Sequence, residues 1–227
     1  MRVPGRARRR GTDAMTTGLL GGTFDPLHNG HLRLAIECLE SVALRQVRLV
    51  PVHLPPHRDA PVASPDQRLD MVRLAVNGIP GLVADAAEVQ RGGVSYTIDT
   101  LRALRGSPGR EPMALIIGMD AFAMLNTWRQ WTELLDLVHI IVVHRPGADA
   151  TAFDPEIRNI LEQRRVHTAT ELGSQPAGNV HLAKLPLLDI SATGIRSRLA
   201  RGRNVSGLVP DPVLQYIHRH SLYGTTG

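Results

Sequence analysis

The chain has 227 residues, 43% of them hydrophobic, with one cysteine and a formal net charge of +5, which is enough apolar content to bury a substantial core. No apolar run of about 18 residues or more occurs, and none follows the N-terminal arginines, so neither a membrane span nor a secretory signal is supported and a cytoplasmic protein is expected. The charge is concentrated: in residues 1–14 five arginines (Arg2, Arg6, Arg8, Arg9, Arg10) meet only Asp13, which places +4 of the +5 in that segment.

Poor in apolar residues, 1–14 read as a disordered basic extension with Met15 as an alternative first residue, and 15–227 as a single domain. The body is then close to neutral, and neither nucleic acid nor membrane is an expected partner; a homo-oligomer is left open. Cys38, inside a helical apolar pattern, is expected to be a buried structural thiol.

From Thr16 onward short apolar runs alternate with stretches of helical period, the pattern of an α/β fold with an open parallel sheet and helices on both faces. In chain order the expected strands are 18–21, 47–52, 82–89, 114–117, 140–143 and 180–184. Leu32, Ala35, Ile36, Leu39 and Val42 recur at helical spacing after Asn29, so this helix lays one face on the sheet. Ser64-Pro65-Asp66-Gln67 has the form of a capping box with proline in the first turn. Trp131, Leu134, Leu135 and Val138 make a further helical stripe, and Asp211-Pro212 opens a last helix through Val213, Tyr216 and Ile217. The stretch 165–178 is the least patterned and is expected to be a surface loop.

Two constellations carry chemistry. The first runs from Gly21 to His31, where a strand ends in Gly21-Gly22, a turn with Asp25-Pro26 follows, and His28 and His31 lead into the first helix. Glycines let a ligand approach the backbone, a helix start offers free amides to phosphate, and histidines three apart can address one phosphoryl group. Neither the G-x-x-x-x-G-K-[ST] loop nor the G-x-G-x-x-G spacing is present. The second is Ile190-Ser191-Ala192-Thr193-Gly194-Ile195-Arg196, where Ser191 is a plausible N-cap that would bring free amides, the Thr193 hydroxyl and the Arg196 guanidinium to one place.

The string Gly21–His31 resembles the (T/S)-x-x-H and H-x-G-H signature of the nucleotidyltransferase superfamily, and 190–196 resembles its I-S-[ST]-T-x-I-R motif, with Ala192 in place of one hydroxyl residue. Three further segments are similar to the nicotinate-nucleotide adenylyltransferase branch: Leu54-Pro55-Pro56-His57-Arg58, Ser95-Tyr96-Thr97, and Gly118-Met119-Asp120-Ala121 with Asn126-Thr127-Trp128-Arg129. The resemblance spans nearly everything from Met15 to Tyr223. It implies a Rossmann-like fold of nucleotidyltransferase type and transfer of AMP from ATP to nicotinate mononucleotide, with Mg²⁺ arriving on the ATP and no dedicated metal ligands.

By the same resemblance, His28, His31 and Arg196 are the catalytic residues. Gly21, Gly22, Thr23, Phe24, Gly118, Asp120, Ser191 and Thr193 join them around ATP. His57, Arg58, Tyr96, Thr97, Trp128 and Arg129 are assigned to nicotinate mononucleotide, Trp128 by stacking on the pyridine and the Ser95–Thr97 segment by receiving its carboxylate. The competing readings are another phosphate acceptor, a nucleotide sensor without turnover, and an RNA-binding protein using the arginine-rich segment.

Overall fold

The computed structural model describes residues 16–56, 60–106, 111–144 and 153–225. Its strands are β1 (Thr17–Gly22), β2 (Gln46–Pro51), β3 (Leu82–Ala84), β4 (Met113–Gly118), β5 (His139–His144), β6 (Arg165–Val166) and β7 (Val180–Lys184). They form one parallel sheet in the order β3-β2-β1-β4-β5-β7-β6.

Alternate side chains of one strand point to opposite faces, and both faces here are buried, which is why the strands read as nearly continuous apolar runs. In β4, Met113, Leu115 and Ile117 pack with Ile98 and Leu101 of α4 (Thr97–Arg105), Phe122 of α5 (Met119–Ala123), Leu134 of α6 (Leu134–Leu137) and Ile157 of α7 (Pro155–Arg164). Ala114 and Ile116 face the other way. They pack against α1 (Asn29–Ser41), α2 (Pro65–Val76), α8 (Ala192–Leu199) and α9 (Asp211–Arg219).

The expected capping box is present: Gln67 N–H donates to Ser64 Oγ at 3.2 Å and Ser64 N–H to Gln67 Oε1 at 2.9 Å, with Pro65 in the first turn. Cys38 is fully buried, and burial followed by the charge of Glu37 pushes its thiol up to about 12. Among the described residues no helix is long and apolar enough to cross a membrane.

Three expectations are corrected. The strand expected over 82–89 stops at Ala84, because the Asp85 carboxylate accepts from Ala87 N–H at 2.9 Å and turns the chain into the short helix α3 (Ala87–Arg91). The stretch 165–178 is not an unstructured loop: Arg165–Val166 adds a two-residue edge strand beside β7, and a 3₁₀ turn covers Ala169–Gly173. The stripe from Trp131 begins as a 3₁₀ turn and becomes α-helical only at Leu134.

Strands β1, β2 and β3 build outward in one direction, after which the chain returns to place β4 on the opposite flank of β1. At this reversal the connections after β1 and β4 leave in opposite directions and open a crevice at the carboxyl ends of the strands, the usual ligand position in open α/β sheets.

Candidate active site

The loop from Gly22 to Asn29 forms one wall of the crevice. A Cβ on Gly21 would meet nothing within 4 Å, so the backbone there lies open to a ligand. Phe24 stands at φ +50° with its ring buried, edge-on to His31 at 5.0 Å between centroids, and so pins the loop from below. His28 is the N-cap of α1, and its ring stacks on His31 with centroids 3.7 Å apart. A Cβ on Gly30 would come within 3.0 Å of His28 Nδ1; glycine between the two histidines makes room for the stacked pair.

The stack has an electrostatic consequence. Burial pushes His28 down to about 4, and burial plus the neighbouring His28 pushes His31 down to about 3. Both rings are therefore neutral near pH 7. His31 Nδ1 accepts the His28 backbone N–H at 3.3 Å, which leaves the ring hydrogen of neutral His31 on Nε2. His28 Nδ1 is buried with no hydrogen-bond partner among the described residues.

The facing wall is the start of α8. Ser191 is its N-cap, with Oγ accepting from Gly194 N–H at 3.1 Å, so its own O–H remains available to donate. Arg196 donates to Thr193 Oγ1 at 3.3 Å and to the Asp25 carbonyl at 2.7 Å, which ties α8 to the first loop. Between the two walls lies a cavity of about 1070 Å³, lined by Gly21–Asp25, His28, His31, Ser191–Thr193 and Arg196.

A second cavity of about 280 Å³ adjoins it and shares Gly21, Gly22, Thr23, Pro55 and Pro56 as a common wall. Its other sides are mostly apolar, from Leu19, Val50, Leu101, Leu115 and Ile117, with Trp128, Ser95, Thr97, Thr100 and Glu88 among them. A polar cavity thus borders a smaller, mostly apolar slot.

A cytidylyltransferase-like family model matches residues 19–198. A protein of Marinobacter nauticus named "Probable nicotinate-nucleotide adenylyltransferase" is 50% identical, over 91% of this chain and 95% of its own length. One of the same name from Methylococcus capsulatus is 44% identical, over 91% and 98%. The chain belongs to the nicotinate-nucleotide adenylyltransferases, within the cytidylyltransferase-like family. The Plasmodium falciparum nicotinic acid mononucleotide adenylyltransferase complexed with NaAD shares the fold at a TM-score of 0.66 and 15% identity, over 92% of this chain and 97% of that one.

The other residues expected in the site are less uniformly placed. Tyr96 caps α4 and carries the Arg129 guanidinium over its ring at 4.6 Å, while Arg129 also lies 3.9 Å from Asp99. Neither of the two lines the slot, although their chain neighbours Thr97 and Trp128 do. Gly118 and Asp120 sit exposed at the start of α5 and line neither cavity. His57 and Arg58 lie outside the described residues, as do residues 1–14.

Sequence reasoning passed over the groups that hold the walls together. Arg68 of α2 is fully buried and donates to four main-chain carbonyls: Ala63 (3.2 Å), Thr23 (2.9 Å), Val52 (2.6 Å) and His53 (2.8 Å). Asp25, also buried, accepts from Val62 N–H (2.9 Å), Ala63 N–H (3.1 Å) and the Tyr223 hydroxyl (2.7 Å). Burial and the Asp25 charge hold the Tyr223 hydroxyl well above its ordinary range, so it stays a donor. The available signal was an arginine at a position of α2 that faces the sheet, where a charge is retained only with partners.

Proposed function

We propose that the chain joins ATP to nicotinate mononucleotide, forming nicotinate adenine dinucleotide and releasing pyrophosphate. The observation that carries this reading is the pair of adjoining cavities with a shared glycine wall: the triphosphate lies in the polar one, the pyridine in the apolar one, and the reacting phosphates meet along Gly21–Thr23.

In the proposed reaction an oxygen of the acceptor's phosphate attacks the α-phosphorus in line. A new P–O bond forms as the bond to the α–β bridging oxygen breaks, and that electron pair leaves with pyrophosphate. The attacking phosphate is largely dianionic near pH 7, its second pKa being about 6, so no strong base is required. Catalysis then rests on alignment and on donors placed where charge develops. Neutral His31 donates from Nε2 to the transferred phosphoryl and His28 supports the same group, while Arg196, Ser191 and the first amides of α8 receive the departing pyrophosphate.

A magnesium ion travels with ATP in this reading. Asp25 is the one carboxylate lining the polar cavity among the described residues, and its oxygens already accept three donors, so the triphosphate oxygens would hold the ion and the protein would hold the triphosphate. Bound there, the ion would offset phosphate charge. The proposed setting is the cytoplasm, in keeping with a single buried thiol.

The reaction type is tested by labelling the α-phosphorus of ATP. The label is expected in the dinucleotide, with unlabelled pyrophosphate released in equal amount; label appearing in free AMP, with no dinucleotide, would contradict the transfer.

A further inference from the structure

Tyr223 stands in the left-handed backbone region at φ +59°, where a bulky side chain is rare, and Ser221 two residues earlier stands there at +47°. Strain of this kind persists only where the surroundings hold it. Here they do: Leu222 and Tyr223 are buried, and the Cβ that Gly224 lacks would lie 3.4 Å from Cα of Ala200, the C-cap of α8. The conformation so held brings the Tyr223 hydroxyl to Asp25, where it donates to Oδ1 at 2.7 Å.

A charged donor stands ready to take that place. Arg196 Nη1 donates to the Asp25 carbonyl at 2.7 Å and lies 3.8 Å from Asp25 Oδ2, too far for a hydrogen bond but within a small swing of the guanidinium. Oδ2 accepts one N–H, from Val62, while Oδ1 accepts Ala63 N–H and the Tyr223 hydroxyl. A carboxylate takes about four donors, so one place remains, on Oδ2. Arg68, the other cation nearby, donates to main-chain carbonyls instead. Asp25 is buried, and a buried carboxylate short of donors draws the nearest free cation.

We propose that Tyr223 is a positioning residue that keeps Arg196 available to the phosphates: its hydroxyl satisfies Asp25, so the guanidinium faces the polar cavity rather than folding onto the carboxylate. The inference rests on the reading of Arg196 given above, as a group that receives pyrophosphate, and not on the identity of the acceptor. Tyr223 itself lines neither cavity. Its effect therefore reaches the phosphates through Arg196, and losing its hydroxyl has no consequence for them once Arg196 is gone.

The test is a double-mutant cycle on the affinity for magnesium pyrophosphate, read by calorimetry with no acceptor present. Tyr223→Phe keeps the ring and removes only the hydroxyl; it is expected to weaken binding about tenfold, the worth of one hydrogen bond to a charged group. Arg196→Gln weakens binding on its own, and adding Y223F to it is expected to change nothing further. In turnover, Y223F is expected to raise KM for ATP and to leave KM for the acceptor unchanged. Native affinity in Y223F, the same loss with and without Arg196, or an equal rise in both KM values would overturn the proposal; the last two would mark a general loosening of the fold. Should Y223F fail to melt cooperatively, Gly224→Ala, which crowds the same segment against Ala200, takes its place in the cycle with the same expected outcomes. Unchanged binding in R196Q would reject the phosphate-site reading of Arg196 itself, and the Tyr223 assignment with it.

Discussion

At the scale of single residues, the stacked histidines carry a pH signature and, in the proposed reaction, would donate to the transferred phosphoryl. Removing one buried donor to a developing phosphoryl charge typically costs about 2.7–4 kcal/mol of transition-state stabilisation. His31→Ala is therefore expected to lower kcat about a hundredfold or more with its circular dichroism unchanged; near-native turnover would remove His31 from the mechanism. Both rings also bind protons less readily when folded, at about 4 and about 3, than unfolded, near 6.5. The unfolded chain binds the extra protons, so this contribution to stability is complete above about pH 6.5 and is lost as pH falls through about 4. Thermal melts of the unliganded protein should drop between pH 7 and pH 5, and the double variant His28→Asn/His31→Gln should flatten that drop. Equal slopes in the two proteins would contradict the buried, neutral pair. The spacing of His28 and His31 was legible in the sequence, but their neutrality was not, since it comes from burial and a ring contact that spacing alone does not set.

At the scale of elements, the cradle depends on loops from different parts of the chain keeping one shape. Arg68 anchors the carbonyls of the β1 loop, the β2 loop and the residue before the α2 cap. Asp25 ties the first of these loops to Tyr223 near the end of the described chain, and through its carbonyl to Arg196. Arg68→Met would fill most of the volume yet leave four buried carbonyls short of donors, an expected loss of about 3–5 kcal/mol by chemical denaturation. A loss below about 1 kcal/mol would show that water or neighbouring amides replace the guanidinium. Helix periodicity and the capping box were readable because each is a local property of a few residues. The partners of Arg68 and Asp25 are long-range and main-chain, and no side-chain pattern announces a carbonyl. The mistaken strand over 82–89 has the same origin: the apolar run continued, while a single Asp85 side-chain bond turned the backbone.

At the scale of the whole molecule, function follows from topology. The reversal of strand order between β1 and β4 brings the loop 22–29, the start of α8, the loop after β2 and Trp128 to one crevice, although they are spread along most of the chain. The alternation of strands and helices foretold the sheet, and the strings 21–31 and 190–196 singled out in the sequence both line the polar cavity. The apolar slot was less legible, because its walls are ordinary core residues whose apolar character signals packing and ligand contact alike. Its size and its border with the polar cavity are what favour a flat ring carrying a phosphate over a long flexible acceptor.

The most direct measurement of that claim is a competition. The protein is given ATP, Mg²⁺ and equal concentrations of nicotinate mononucleotide, nicotinamide mononucleotide and phosphopantetheine, and the adenylylated products are identified by mass. Nicotinate adenine dinucleotide is expected to dominate, with one pyrophosphate for each molecule formed. Adenylylated phosphopantetheine as the main product, or no adenylylated product at all, would contradict the account.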